Sequence, residues 1–435
     1  MNIYNEFRKT AINRYSKTAL VMMNDEGETK EYTFGQTLQQ ADAFCSRLKA
    51  MGVVAGDRVC IASEGRPEWN IAFLACAKLN AVLLDYSLPA AELVALVKKS
   101  QPVCVVASQK AAKKLTSVKN IPVLDIQNQL DRLDGSGKNI LRQGEVGDPD
   151  IAVIIFSSGT TRTASGIMHT HDSQINSCKM VCRCNGITDN ERYLGILPNS
   201  HIYGLFAQVL APLLTGGTVC FIESLSAKGL SAGFQNFKPT VFPGVPKVYE
   251  LLKTQIMQQI NGGKVSSALF KKMFPIALHQ RKIYGINSGK KLFSKIHKAL
   301  GGELRFLCSA GSPMSKDTFD FFYGTGFNIV NNYGATETSI PTIGTYGKHV
   351  YADTCGKPYP DIKVKIDRSG ELLIKSPYMM IGYYGDKKST DEAFNPDGWF
   401  KSGDLAKFDK HKNIVILGRC KENIVLSTGK KAAPD

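Results

Sequence analysis

Between residues 33 and 125 the spacing of apolar positions changes several times. In TFGQTLQQADAFCSRLKAMGV they fall at Leu38, Ala41, Phe44 and Leu48, which predicts a helix with one buried face. RVCIAS is a short unbroken apolar run and predicts a strand covered on both sides. The alternation continues with EWNIAFLACAKLN as helix, AVLLDYS as strand, AAELVALVKKSQ as helix, then VCVVAS and IPVLDI as strands. This rhythm predicts a parallel sheet clothed by helices.

A polar stretch, DRLDGSGKNILRQGEVGDPD, precedes the apolar strand IAVIIF, and a second alternating run follows through GILP, YGLFAQVLAPLLTGG and TVCFIE. Two layered, helix-covered sheets are therefore expected, over about 1–150 and 151–350. From about Tyr351 the pattern shifts to short strands and turns, as in GELLIKS, GWFKSGDLAKFD and KNIVILGR, predicting a small β-rich, barrel-like subdomain over 351–419. The fold class is α/β. The longest uncharged stretch, Leu194 to Ile222, is broken by Pro198, Asn199, His201, Pro212 and the Gly216–Gly217 pair, so it reads as strand, loop, helix and strand instead of a membrane span. The start, MNIYNEFRKTAINRY, lacks the apolar core of a signal peptide, and a soluble, cytoplasmic protein is expected.

Composition excludes several classes. With 435 residues, 43% hydrophobic and 21% charged, the chain is too long for one compact core, too apolar for disorder and too large for a small disulfide scaffold. Its eleven cysteines are scattered, with Cys60, Cys104 and Cys220 inside predicted strands, where cysteine serves as a small buried hydrophobe in a reducing compartment. Cys178, Cys182 and Cys184 follow His169 and His171 but lack paired CxxC spacing, so no metal ligand is assigned there. Lys plus Arg (54) exceeds Asp plus Glu (38), a net charge of +16 that favours nucleotides, CoA, nucleic acid or an acidic lipid surface. No helix-turn-helix, zinc finger or aromatic nucleic-acid platform is present in the pattern, so nucleic acid is not an expected partner. The excess is concentrated from Lys253 to Lys298, with ten Lys or Arg and no Asp or Glu. That stretch reads either as a solvated helical face or as a surface drawn to an anionic membrane or CoA.

Three runs carry candidate chemistry. In FSSGTTRTASGIMHTH, residues 156–171, a predicted strand enters a loop where Gly159 permits close backbone approach and Ser157, Ser158, Thr160 and Thr161 add hydroxyls for phosphate oxygens. The GxxxxGK[ST] spacing of a Walker loop is absent. NNYGATET, residues 331–338, follows FNIV; GWFKSGDLAKFD, residues 398–409, is followed from 418 by GRCKENIVLSTGKK. Tyr333 offers a flat face to a base, Glu337 a hard oxygen ligand for Mg²⁺, Asp404 two acceptors for a ribose diol, and Arg419 a fixed fork of donors.

In this order and at these separations the runs resemble the adenylate-forming superfamily of acyl-CoA synthetases, nonribosomal-peptide adenylation domains and luciferases. The resemblance covers nearly the whole chain, and LPNSHIYGL, VFPGVPKVYELL and CSAGSPM are similar to stretches lining that family's acyl pocket and adenine site. It implies that 1–419 is a large N-terminal AMP-binding domain and that 420–435 holds a hinge at Lys421 and the start of a C-terminal lid. It also implies ATP, CoA and Mg²⁺. Ser157, Ser158, Gly159, Thr160 and Thr161 would wrap phosphates, with Thr160 and Glu337 toward Mg²⁺ and Thr336 at the AMP phosphate. Asn331, Asn332, Gly334 and the backbone of Gly311, Ser312 and Pro313 would surround an adenine stacked on Tyr333, while Asp404 and Arg419 hold the ribose. His201, with Tyr203 nearby, would stand at an acyl pocket that includes Gly244, Ala310 and Ala335.

The implied reaction is attack of a carboxylate on the α-phosphorus of ATP, loss of pyrophosphate, and attack of a thiol on the acyl-adenylate. Two departures bear on it. Where the family usually reads TTGxPKG or TTSxxKG this chain reads TTRTASG, so Ser165 replaces a lysine and weaker pyrophosphate stabilisation is expected, with Arg162 nearby. The chain also ends at AAPD within what resembles a GKxxxPxEIE run, so a lid cut away and poor turnover with ligand binding retained are expected. KENIVLSTGKK resembles long-chain fatty acyl synthetases, and HIYGL also resembles the aryl branch. The expected substrate is a medium- or long-chain fatty acid passed to CoA. The alternatives are a coumarate- or benzoate-like acid, an acyl-AMP ligase loading a carrier protein, and a non-catalytic binding module.

Overall fold

The computed structural model describes residues 2–77, 80–127, 151–156, 164–262, 264–345, 353–420, 424–425 and 431–432. The chain divides into two units, Met1–Gly233 with Tyr378–Lys387, and Phe234–Pro377 with Lys388–Asp435.

The first unit contains the layer expected from residues 33–125. Strands Asn80–Leu84, Arg58–Ala62, Cys104–Ala107 and Val123–Asp125 lie side by side in that order and run parallel. Ile151–Phe156 joins beside Asn80–Leu84, again in parallel. Its other edge pairs antiparallel with Gly166–Thr170, which in turn pairs with the short strand Gly382–Tyr383. Cys60 sits in register with Val82 and Val105, and all three are fully buried, which is why these strands read as continuous apolar runs. Helix Pro67–Cys76 has all ten residues buried, with proline at its first turn where the missing N–H costs nothing. Gly166 is required by packing: a Cβ there would lie 2.9 Å from Ile154 and 3.2 Å from Tyr384.

The unit's other sheet is less local. Arg192–Gly195, Thr218–Ile222 and Thr18–Met23 run parallel in that order, and Thr29–Thr33 closes the edge as an antiparallel hairpin. Thus the apolar run TALVMM pairs not with the strands of 33–125 but with Thr218–Ile222, Leu20 opposite Val219. Its partner is selected by tertiary packing, which no local periodicity encodes.

In the second unit Val241–Gly244, Phe306–Ser309 and Ile329–Tyr333 are parallel neighbours, extended by the short antiparallel strands Ile343–Gly344 and Lys357–Pro358. The helices Pro246–Asn261, Lys264–Tyr284 and Lys316–Gly324 pack around an aromatic core in which Phe242, Tyr249 and Phe322 meet edge to face. The Tyr249 hydroxyl lies 2.7 Å from the Phe242 carbonyl and 2.8 Å from that of Cys308, pinning its helix to two strands. The β-rich part is a four-stranded antiparallel sheet, Lys363–Ile366, Glu371–Lys375, Phe400–Phe408 and Ile414–Arg419. Among the described residues no helix is long and apolar enough to cross a membrane.

Candidate active site

Open parallel sheets bind ligands beyond the carboxyl ends of their strands. In the second unit those ends carry most of the predicted nucleotide residues. Gly244, Ser309 and Asn331 are aligned across the three parallel strands. Beyond them stand Ala310 to Pro313 on one strand and Tyr333 to Glu337 on the next. Gly311, Ser312 and Pro313 are exposed, whereas Ala310 and Gly244 are buried. Gly311 has φ of +93°, a conformation that favours glycine, and a Cβ there would touch only Val245, at 3.7 Å. The backbone of this loop is therefore open to a ligand.

Asn331 and Asn332 are built into the sheet. Asn331 donates its side-chain N–H to the Thr354 carbonyl at 3.1 Å, and its backbone N–H to the Thr345 hydroxyl at 2.7 Å. The Asn332 side-chain oxygen accepts from the Tyr359 hydroxyl at 3.0 Å. A Cβ at Gly344 would lie 2.4 Å from that hydroxyl, so glycine is needed for the pair to form. After Tyr333 the chain makes a tight helical turn, Thr336–Thr338, closed by the Thr338 hydroxyl accepting from the Ala335 N–H at 3.0 Å. Ser339 follows with φ of +70° although it is not glycine, a costly conformation that the surrounding structure must hold.

Tyr333, Asp404 and Arg419 meet directly. The Tyr333 hydroxyl donates to Asp404 Oδ2 at 2.6 Å, and Arg419 Nε lies 3.1 Å from Asp404 Oδ1. Asp404 and Arg419 are cross-strand partners on the antiparallel strands Phe400–Phe408 and Ile414–Arg419. Gly403 before the aspartate has φ of +72° and donates its N–H to Glu371 Oε1 at 2.8 Å, while its carbonyl accepts from Cys420 N–H at 2.8 Å. Asp404 is buried and Arg419 is 61% exposed, so the carboxylate is fixed while the guanidinium reaches solvent. Burial, reinforced by the neighbouring carboxylate, pushes the Tyr333 phenol well above its ordinary range. The result is an aromatic plate with a fixed acceptor at its rim.

In the first unit, His201 stands at the start of the short helix Ile202–Leu205 with Nε2 3.4 Å from Asp85 Oδ2. Asp85 follows strand Asn80–Leu84, at a carboxyl end of that parallel sheet. The His201 ring, with the hydroxyl and N–H of Ser87, holds the Asp85 carboxyl down to about 2, against burial that pushes it up. Tyr203 is half-buried in the same turn. A Cβ at Gly204 would lie 2.0 Å from the Pro198 carbonyl oxygen, so only glycine lets the helix start there.

Beneath this turn lies a buried amide network that sequence reading missed. Gln208 accepts from the Leu197 N–H at 2.6 Å and donates to the Leu197 carbonyl at 2.7 Å and to Asn199 Oδ1 at 2.6 Å. Asn199 donates to Asn70 Oδ1 at 3.0 Å, and Asn70 donates to the Gln208 carbonyl at 3.0 Å. Gln208 occupies a π-helical turn, Phe206–Leu210, a wide turn that recurs at functional sites. The available signal was a lone amide in each of two otherwise apolar helical runs, WNIAFLACA and YGLFAQVLAPLL.

Ser157, Ser158, Gly159, Thr160, Thr161, Arg162 and Lys421 lie outside the described residues. Ser165 is described and half-buried, and the carbonyl of Ala164 beside it accepts from Lys99 Nζ at 2.7 Å. Among the described residues no group of three or more His, Cys, Asp or Glu is placed to hold a metal ion, the His169–Cys178 region included. Glu337, half-buried on its tight turn, offers a single carboxylate of hard oxygens. That fits Mg²⁺, which takes most of its ligands from phosphate and water and few from protein.

Residues 7–384 match the family model described as AMP-binding enzyme. The chain belongs to this family. It is 30% identical to the long-chain-fatty-acid–CoA ligase FadD15 of Mycobacterium bovis, over 94% of this chain and 73% of that protein. It is 27% identical to the peroxisomal long chain acyl-CoA synthetase 7 of Arabidopsis thaliana, over 98% of this chain and 67% of the relative. Among solved structures it resembles the anthranilate CoA ligase AuaEII in complex with anthranoyl-AMP, with a TM-score of 0.81 at 18% identity, over all of this chain and 80% of that one. The Bacillus subtilis O-succinylbenzoate CoA synthetase in complex with AMP gives a TM-score of 0.78 at 20% identity, over 98% of this chain and 80% of that one. At those identities the structural likeness establishes the fold of this AMP-binding enzyme and not its acid.

Proposed function

We propose that this AMP-binding enzyme activates a medium- or long-chain fatty acid as its acyl-adenylate, releasing pyrophosphate, and passes the acyl group to CoA. The observation that carries the nucleotide half of the reading is the Tyr333–Asp404–Arg419 cluster, a plate for a purine with an acceptor and a donor fork at its edge. The fatty acyl half is supported by the relatives named long-chain fatty acid–CoA ligases, at 30% and 27% identity.

In this reading the substrate carboxylate is itself the nucleophile and needs no general base, so the protein's task is alignment and charge. Adenine lies on Tyr333 between Asn331, Asn332, Gly334 and the open Gly311–Ser312–Pro313 backbone, and the ribose diol bonds Asp404 and Arg419. Thr336 contacts the α-phosphate, and the hydroxyl loop of Ser157, Ser158, Gly159, Thr160 and Thr161 wraps the departing phosphates. Mg²⁺ carried in with ATP would offset phosphate charge, with Glu337 and Thr160 as its protein ligands. By the family pattern His201, steadied by Asp85, and Tyr203 are the first unit's acyl-side residues, and Gly244, Ala310 and Ala335 are the second unit's. A serine at 165 supplies a hydroxyl where the family pattern has a cation, and this favours slow pyrophosphate release.

The test is ATP–pyrophosphate exchange with a panel of fatty and aryl acids, alongside calorimetry with a non-hydrolysable acyl-AMP analogue. Fatty-acid-dependent exchange and tight binding of the fatty analogue are expected. Exchange with aryl acids alone would assign the aryl branch, and exchange without transfer to CoA would point to a carrier-protein thiol. Failure of every analogue to bind, with no exchange for any acid, would overturn the reading.

A further inference from the structure

Helix Lys264–Tyr284 turns a line of apolar side chains to solvent. Leu269, Ile276 and Ile283 are 56%, 53% and 63% exposed. Seven residues bring an α-helix back to within about 20° of the same direction, so these three form a stripe. At 1.5 Å per residue its length is about 21 Å. Tyr284 and Ile286, at 67% and 55% exposed, continue the apolar surface past the helix end. The stripe is not the rim of the core, because the helix buries a different face: Phe270, Ala277 and Arg281 point inward, and Phe270 stacks on Phe274 with ring centres 5.1 Å apart.

Within the segment that carries the stripe the charge has one sign, and Asp317 and Asp320 of the neighbouring helix Lys316–Gly324 pair with Lys253 and Lys282. Lys272, about 60° round the helix from Leu269, is exposed beside the stripe and has no acidic partner among the described residues, whereas Lys282 is held by Asp320 at 2.7 Å. Lys253 to Lys298 contains no Asp or Glu at all. A scattered exposed leucine is ordinary, but a helical line of apolar residues in a segment whose own charges are all basic is what an interfacial helix looks like. A second copy of the chain is a poor occupant, since a two-fold contact would set this basic face against itself.

We propose that this face docks on an anionic lipid bilayer, the apolar stripe entering the boundary between headgroups and acyl chains while the lysines reach lipid phosphates. The proposal rests on the surface of the second unit and holds whatever acid the enzyme activates. It is tested by co-sedimentation of the full chain with vesicles of phosphatidylcholine alone or mixed with phosphatidylglycerol, at low and high salt. Binding is expected only to the mixed vesicles, and weaker at high salt. The Leu269→Glu/Ile276→Glu pair should weaken it at least about tenfold by removing the inserted surface. Lys272→Glu should cost at least about fivefold, and Ile12→Glu, an exposed apolar site in the first unit, should change nothing. Thermal melts confirm that each variant is folded. Absence of binding to mixed vesicles, or binding unaffected by the apolar pair, would overturn the proposal. So would light scattering in which that pair dissolves an oligomer while vesicle binding persists, which would give the face to a second copy.

Discussion

Asp404 is a buried carboxylate whose two oxygens already have partners, one the Tyr333 hydroxyl and the other the Arg419 guanidinium. The Arg419 pair is largely in solvent and adds little to stability. Its use is to aim a donor fork beside an acceptor, so substitutions here are expected to move ligand binding far more than folding. Asp404→Asn keeps the shape but removes the charge behind the bonds to a ribose diol. A charge-assisted hydrogen bond is worth about 1.5–3 kcal/mol, so AMP should bind roughly 10–100-fold more weakly. Tyr333→Ala removes the plate, and the loss of stacking should cost about tenfold. Tyr333→Phe keeps the plate and should cost less than either. Calorimetry with AMP, with thermal melts as the folding check, measures all three; affinity unchanged from the parent in both Asp404→Asn and Tyr333→Ala would remove this cluster from the nucleotide site. The residue types were legible in NNYGATET, GWFKSGDLAKFD and GRCK. The hydrogen bond between Tyr333 and Asp404 was not, because one ends a parallel strand and the other lies on a separate antiparallel sheet.

At the scale of elements, the turn carrying His201 is held by what lies beneath it. The apolar period of YGLFAQVLAPLLTGG predicted a helix, and there is one, but the π-helical turn inside it could not be read from spacing. It forms where Gln208 turns inward to pair with both backbone groups of Leu197. Gln208→Leu would leave the Leu197 N–H and carbonyl and the Asn199 oxygen buried without that partner. At about 1–3 kcal/mol for each orphaned group, less relaxation, a loss of about 3 kcal/mol is expected. Gly204→Ala should destabilise as well, because its new Cβ would overlap a backbone oxygen, which cannot swing aside as a flexible side chain would. Denaturant melts check both. A Gln208→Leu protein as stable as the parent would mean that the amide network adds nothing to holding this turn. The parallel layer of 33–125 was legible because its central strands are buried on both faces and read as unbroken apolar runs. The N-terminal hairpin was not, since Leu20 pairs with a residue 199 positions away.

For the whole molecule, the sequence places one tryptophan in each unit, Trp69 fully buried in the first and Trp399 in the second. Fluorescence of a Trp399→Phe protein therefore reports on the first unit alone. That unit contains a titratable anchor: His171, buried, accepts at Nδ1 from the Ile3 N–H at 3.4 Å, and its Nε2 lies 3.5 Å from the Asn2 side chain. Burial pushes the His171 imidazole down to about 4. As pH falls below about 6.5 the unfolded chain takes up this proton before the folded one does. The stabilisation is thus complete above that pH, is lost progressively toward pH 4, and amounts to about 3 kcal/mol for a shift of this size. Carboxylates such as Asp85, held low in the fold, add their own loss only at more acid pH, as pH falls from their ordinary range toward about 2. The difference between parent and His171→Gln isolates the imidazole. Urea melts followed at Trp69 should show the parent losing about 3 kcal/mol more than His171→Gln between pH 7 and pH 4. If the two lose stability in parallel, His171 is charged in the folded state, and the contacts at Asn2 and Ile3 must tolerate an imidazolium.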